Sequence, residues 1–172
     1  MRKFIYRSIV DQLKTILDNQ DNPSIKHFDI WNNNLAHIEQ EHPFLTPAVF
    51  VEFQPIQWKL DGNKVREATV NIALHVINQC NAPTSDEGDY VETSLLFFDL
   101  LTKINKALYQ HHNAGEQGCL FSHNALTPIQ SITDHDFDKL QHNIEEFACN
   151  AFDWSAHPNY ATKSGAKLQI NT

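Results

Sequence analysis

Residues 64–78 read Lys-Val-Arg-Glu-Ala-Thr-Val-Asn-Ile-Ala-Leu-His-Val-Ile-Asn, and their period decides the fold. Ala68, Val70, Ile72, Leu74 and Val76 alternate with Thr69, Asn71, Ala73, His75 and Ile77. Successive side chains of a strand point to opposite faces, so this spacing predicts one long strand with a continuous apolar face and a mixed one. Working back toward the N-terminus, Asp61-Gly62-Asn63 supplies a turn in which glycine tolerates positive φ. Before it, Thr46-Pro47-Ala48-Val49-Phe50-Val51-Glu52-Phe53 is rich in β-branched and aromatic residues, Pro55 interrupts it, and Gln57–Leu60 continues it. The expected core unit is an antiparallel hairpin of residues 48–59 against 64–78.

The flanks read as mixed structure. Over residues 2–19, Phe4, Ile5, Ile9, Leu13, Ile16 and Leu17 recur at intervals of three and four, which predicts an amphipathic helix stopped by Pro23. Residues 25–31 read as a short strand and Asn32-Asn33-Asn34 as a turn. After a polar loop at 80–89, a second helix is expected over 90–110. Its core face is read as Leu95, Phe98, Leu101, Ile104 and Leu108, widened by Phe97, Leu100 and Ala107. Residues 111–126 read as a loop and 127–133 as a strand. Residues 137–152 carry both periods, and on pattern and propensity the helix has the edge. Beyond Trp154 the chain turns polar. A single domain over 1–155 and a polar tail over 156–172 are expected, with a short strand at 167–170.

Charge and composition limit the function classes. Thirteen basic against twenty-one acidic residues give a net charge of -8, which disfavours broad binding to phosphate backbones. No direct nucleic-acid binding and no membrane span are expected. Arg7, Asp11 and Lys14 interrupt the first apolar run, so no signal peptide is read there. Cys80, Cys119 and Cys149 are odd in number and widely spaced, as reduced thiols are.

Ten histidines are the composition's main peculiarity. His111, His112, His123 and His135, with Asp134 and Asp136, offer metal-ligand chemistry, but no HExxH or other fixed spacing ties them together. Asp134, Asp136 and Asp138 lack the glycine and terminal glutamate of a calcium loop, so a turn is expected. Cys119 beside Gly118 has no histidine fixed within reach. Glu52 reads as a strand carboxylate isolated in the sequence, at a sheet edge or paired with a Lys or Arg. No catalytic residue, cofactor or bound metal is predicted.

The succession TPAVFVEF (46–53), the Asp61-Gly62 turn, REATVNIALHVI (66–77), SLLFFDLLTKINKAL (94–108) and FSHNALTPIQSITDHDFDKLQHNIEEFACNAF (121–152) resembles the tail-terminator or tail-completion proteins of long-tailed bacteriophages and prophages. The resemblance spans about residues 1–152 and is one of pattern. The polar tail and the histidine content depart from it. It implies an α+β fold, with a mixed, largely antiparallel sheet of four or more strands and two helices on one face. It also makes 139–152 a strand, with Ile144 and Ala148 toward the helices and Glu145, Phe147 and Cys149 on the other side. The function it implies is structural: self-association into a ring at the end of a tail tube, joined to a tail-tube or head-connector protein. The protein would reside in the bacterial host cytoplasm during assembly and then in the virion tail. Trp31, Trp58, Phe147 and Phe152 are the candidate interface residues. Two other readings compete with it. One is a small metal-dependent enzyme using the His/Asp loops, and the other a non-catalytic soluble bacterial binding protein.

Overall fold

The computed structural model describes residues 1–35, 44–61, 64–80, 88, 90–114, 120–136 and 139–157. Gly62, Asn63, Cys119, Asp138, most of the 80–89 loop and the expected strand at 167–170 lie outside these. The elements run α1 (Arg2–Leu13), β1 (His27–Ile30), β2 (Ala48–Phe53), β3 (Gln57–Asp61), β4 (Val65–Gln79), α2 (Val91–Leu108), β5 (Phe121–His123), β6 (Thr127–Asp134) and β7 (Leu140–Asp153). They form an α+β fold with a seven-stranded mixed sheet in the order β1-β2-β4-β7-β5, where β3 also pairs with β4 and β6 with β7. Among the described residues, β1 and β2 run parallel and the other pairings are antiparallel.

The two longest strands organise everything else. β4 and β7 pair from Arg66↔Asp153 to Gln79↔Leu140. On the far side of β4, β2 covers Ile72–Ile77 and β3 covers Val65–Thr69. The expected hairpin is therefore present, broken where Pro55 removes a donor. β5 and β6 share the far side of β7 in the same way. β5 falls inside the stretch read as loop; three residues among polar neighbours carry no period.

Both helices bury their apolar sides on one sheet face. Ile5, Ile9 and Leu13 of α1 and Phe97, Leu100, Leu101, Ile104 and Leu108 of α2 meet Val49, Val51, Val70, Ile72, Leu74, Val76, Phe147, Cys149 and Ala151. Three expectations are corrected here. First, α1 ends at Leu13 instead of residue 19. Its exit tightens to bonds from Thr15 N to Gln12 O and from Ile16 N to Leu13 O, and the Asp18 carboxylate then accepts the Gln20 and Asn22 amides to close a turn. Second, Leu95 and Phe98 are exposed, Phe98 by 53%; the helix rolls so that Phe97 and Leu100 point inward. Third, 140–153 is the strand that the resemblance implies, over the helix that pattern alone favours, but its faces are inverted relative to that reading. Phe147 is 1% exposed because its register partner Ile72 lies on the helix side. Ile144 and Ala148 lie on the other face.

Leu101 is buried beneath α2. Leu101→Ala is expected to cost about 2–5 kcal/mol through lost contacts and the cavity left behind, measured by urea denaturation. An unchanged midpoint would remove α2 from the core.

The face opposite the helices carries a smaller apolar cluster. Leu35, Ala48, Phe50 and Ile77 are buried there, flanked by Trp31, Phe44 and Leu140. No helix among the described residues is long and apolar enough to cross a membrane.

Candidate functional site

Polar residues on that opposite face line up across four strands. Glu52 follows Phe50 by two residues on β2, and Phe50 is in register with His75 of β4. His142 of β7 pairs with Ile77, two residues beyond His75, and Asp134 at the end of β6 pairs with His142. The pleat points all four side chains the same way. Glu52 Oε2 lies 2.9 Å from His75 Nε2. His75 Nδ1 lies 3.0 Å from His142 Nε2, and His142 Nδ1 lies 2.9 Å from Asp134 Oδ2. The result is an unbroken carboxylate–imidazole–imidazole–carboxylate row.

Trp31 closes the row from above. The chain leaves β1 with the Trp31 amide bonded to Val51 O, and the indole lies flat on the His75 ring, 3.7 Å between centroids and 1° between planes. The His142 ring is 5.8 Å from the same indole. Both imidazoles are buried. Burial is the largest influence on each ring and holds each one below the ordinary imidazole range, while Glu52 pulls His75 and Asp134 pulls His142 the other way. The Asp134 carboxyl is held below its ordinary range, first by the Asp136 amide.

A second polar knot sits among the helices. His123 Nδ1 donates to Asn124 O at 2.8 Å, which leaves Nε2 to accept from Ser8 Oγ at 3.0 Å. His111 Nε2 donates to the same Ser8 oxygen at 2.9 Å. The pairing resembles an activated serine, but Ser8 is buried in the body of α1. No substrate atom can approach its oxygen there, and the knot instead ties α1 to β5 and to the exit of α2. Burial again holds His111 and His123 below the ordinary range.

A third buried group is Glu145, where Asn105 of α2, Ser131 of β6 and Asn143 donate to the carboxylate at 2.8, 2.6 and 2.6 Å. Cys149 lies deep in the core, and burial pushes its thiol up to about 12, so it stays protonated and inert at neutral pH.

The histidines expected to cluster are divided between these places. His111 and His123 meet through Ser8, whereas Asp134 serves the row and His135 follows it in the turn. Among the described residues, no group of three or more His, Cys, Asp or Glu side chains is arranged to hold a metal ion. Glu52 is paired with a histidine, not with the Lys or Arg expected.

The four candidate interface aromatics do not share a patch. Phe147 is in the core. Trp58 pairs with Ala68 on the helix side, 39% exposed, with the Arg66 guanidinium 5.2 Å over its ring. Trp31 lies on the histidine row. Phe152, half-buried, lies on the same face as the row but opposite Glu67, near the start of β4. His75, His142 and Ser8 were not singled out from sequence. The available signal was a buried-strand histidine at a matching phase on each of β4 and β7, which becomes informative only once their register is known. No protein-family model matches the chain, and no curated protein sequence matches it.

Proposed function

We infer that this chain is a structural subunit that assembles at the end of a phage or prophage tail tube, forming or joining a ring there. The observation that carries this reading is the pair of free sheet edges. β1 and the β5–β6 side are the two ends of the sheet, and among the described residues no strand pairs with the outer side of either. Each edge bears exposed apolar side chains: Ile30 on β1, and Ile129 and Ile132 on β6. An unpaired edge is a template for another strand. A closed ring needs two different, mutually complementary patches on each subunit, and two opposite edges of one sheet meet that requirement. Leu95, Leu96 and Phe98 add an exposed apolar strip on α2, Leu96 by 62%, available to a tube or connector protein. The α+β fold is the one the sequence resemblance implies, which adds support at the level of architecture alone.

Two tests address this reading. Co-expression with a tail-tube subunit from the same genome is expected to yield a complex that co-purifies; failure with every tail and connector component would return the protein to the class of soluble binding proteins. In the double variant Ile129→Lys/Ile132→Lys, monomer stability is expected to stay within about 0.5 kcal/mol, as for exposed positions generally, while self-association is lost. Sedimentation velocity beside far-UV circular dichroism reads both. Association at wild-type strength would move the interface elsewhere.

A further inference from the structure

Protonation in the Glu52–His75–His142–Asp134 row can be counted from its geometry. Three contacts of 2.9, 3.0 and 2.9 Å need three hydrogens. Two neutral imidazoles carry one each, and ionised carboxylates carry none. With both carboxylates ionised, each takes a hydrogen from the ring it faces: His75 Nε2 donates to Glu52 and His142 Nδ1 donates to Asp134. That leaves His75 Nδ1 and His142 Nε2 facing each other at 3.0 Å. Two bare lone pairs at that distance repel, so the contact requires one further proton between the rings.

We propose that the two imidazoles share a single added proton at neutral pH, and that this proton latches Trp31 onto the sheet face opposite the helices. The shared cation lies under the π-face of the Trp31 indole, which attracts it, and between two carboxylates, which offset its charge. Ring by ring, burial opposes protonation; as a unit, the row accepts one proton and refuses the second, because two imidazolium ions in contact repel. Trp31 also packs edge-on against Phe50, as does Phe44. Losing the proton therefore loosens the cover of the smaller apolar cluster.

Among the described residues, other charged or titratable groups on the same face lie on the neighbouring elements. His27 and Asp29 are on β1, and His27 stacks on Phe44. Glu146, on the same face of β7, is engaged by Gln54 and Gln130. His135 and Asp136 follow Asp134, with the Asp136 amide bonded to its carboxylate.

The test is long-range proton–nitrogen correlation spectroscopy of the imidazoles in the ¹⁵N-labelled full chain, from about pH 5 to pH 9. At neutral pH, His75 Nε2 and His142 Nδ1 are expected to be fully protonated. The two facing nitrogens should resonate between the protonated and bare limits, and both rings should lose the shared proton at one common midpoint. In the Trp58→Phe/Trp154→Phe background, the emission of Trp31 should change at that same midpoint, and His142→Gln should abolish the change. Two neutral rings at neutral pH, each with a bare nitrogen and an independent midpoint, would overturn the proposal. So would Trp31 emission indifferent to the ring titration. If His142→Gln fails to fold, the spectra of the wild-type chain still decide.

Discussion

Replacing Phe147 by alanine is expected to destabilise the fold by about 3–5 kcal/mol, the range for removing a fully buried aromatic side chain, and to leave any self-association of the folded fraction intact. Phe147 sits opposite Ile72 and belongs to the cluster that joins both helices to β2, β4 and β7. Its ring has no compensating route to solvent, so the cavity cannot fill with water at low cost. Equilibrium urea unfolding of F147A measures the loss. A cost under about 1 kcal/mol, accompanied by loss of oligomers, would place Phe147 at an intermolecular surface and restore the face assignment read from sequence.

A second large effect is expected on acidification. His111 and His123 are held neutral by burial, and the His75–His142 row refuses a second proton. In the unfolded chain all four rings titrate near the ordinary value of about 6.5. The folded values of His111 and His123 are depressed, so below about pH 6.5 the unfolded state binds more protons and stability falls with pH. The stabilisation is fully present above that pH and is lost as the pH drops through the folded values. Asp134 acts in the same direction, but only below the ordinary carboxylate range. Urea midpoints taken at half-unit intervals from pH 8 to pH 4.5 should therefore decline first in the imidazole window. Ser8→Ala should weaken that first decline, because it unties the His111–His123 knot. A midpoint flat down to the carboxylate range would mean these rings are solvated.

The sequence and the structure agree where one signal acts alone. In β4, residues 68–77 keep a two-residue period, and the strand, its pairing with β2 and β3 and its inward face were legible, whereas its longest partner, β7, was not. In β7 the same chemistry gives two answers. Leu140, Ile144, Phe147 and Ala151 carry helical spacing, while Phe147, Cys149 and Ala151 share a strand face. The polar half of that face misleads further. Asn143 and Glu145 point toward the helices, where Asn105 and Ser131 meet the Glu145 carboxylate. Buried polar groups with tertiary partners read as solvent-facing when those partners are unknown.

The histidine row was illegible for a different reason. Glu52, His75, His142 and Asp134 are separated by up to ninety positions, and they meet only through the β2–β4–β7–β6 register. Local spacing, which finds metal motifs, carries no information about such a set. The end of α1 was missed because Ile16 remains buried after the helix stops; its apolar character extends the apparent stripe beyond Leu13.

The free edges of β1 and β6 are the centre of the functional reading, and self-association tests them most directly. With a net charge of -8, subunits repel at low ionic strength, and the repulsion is screened as the Debye length falls toward about 8 Å at physiological salt. Sedimentation of the wild-type chain across concentration and ionic strength is therefore expected to show weak association that strengthens with added salt and converges on one closed stoichiometry, strongest with a tail-tube protein present. A strict monomer at every concentration and salt, with or without that partner, would contradict it.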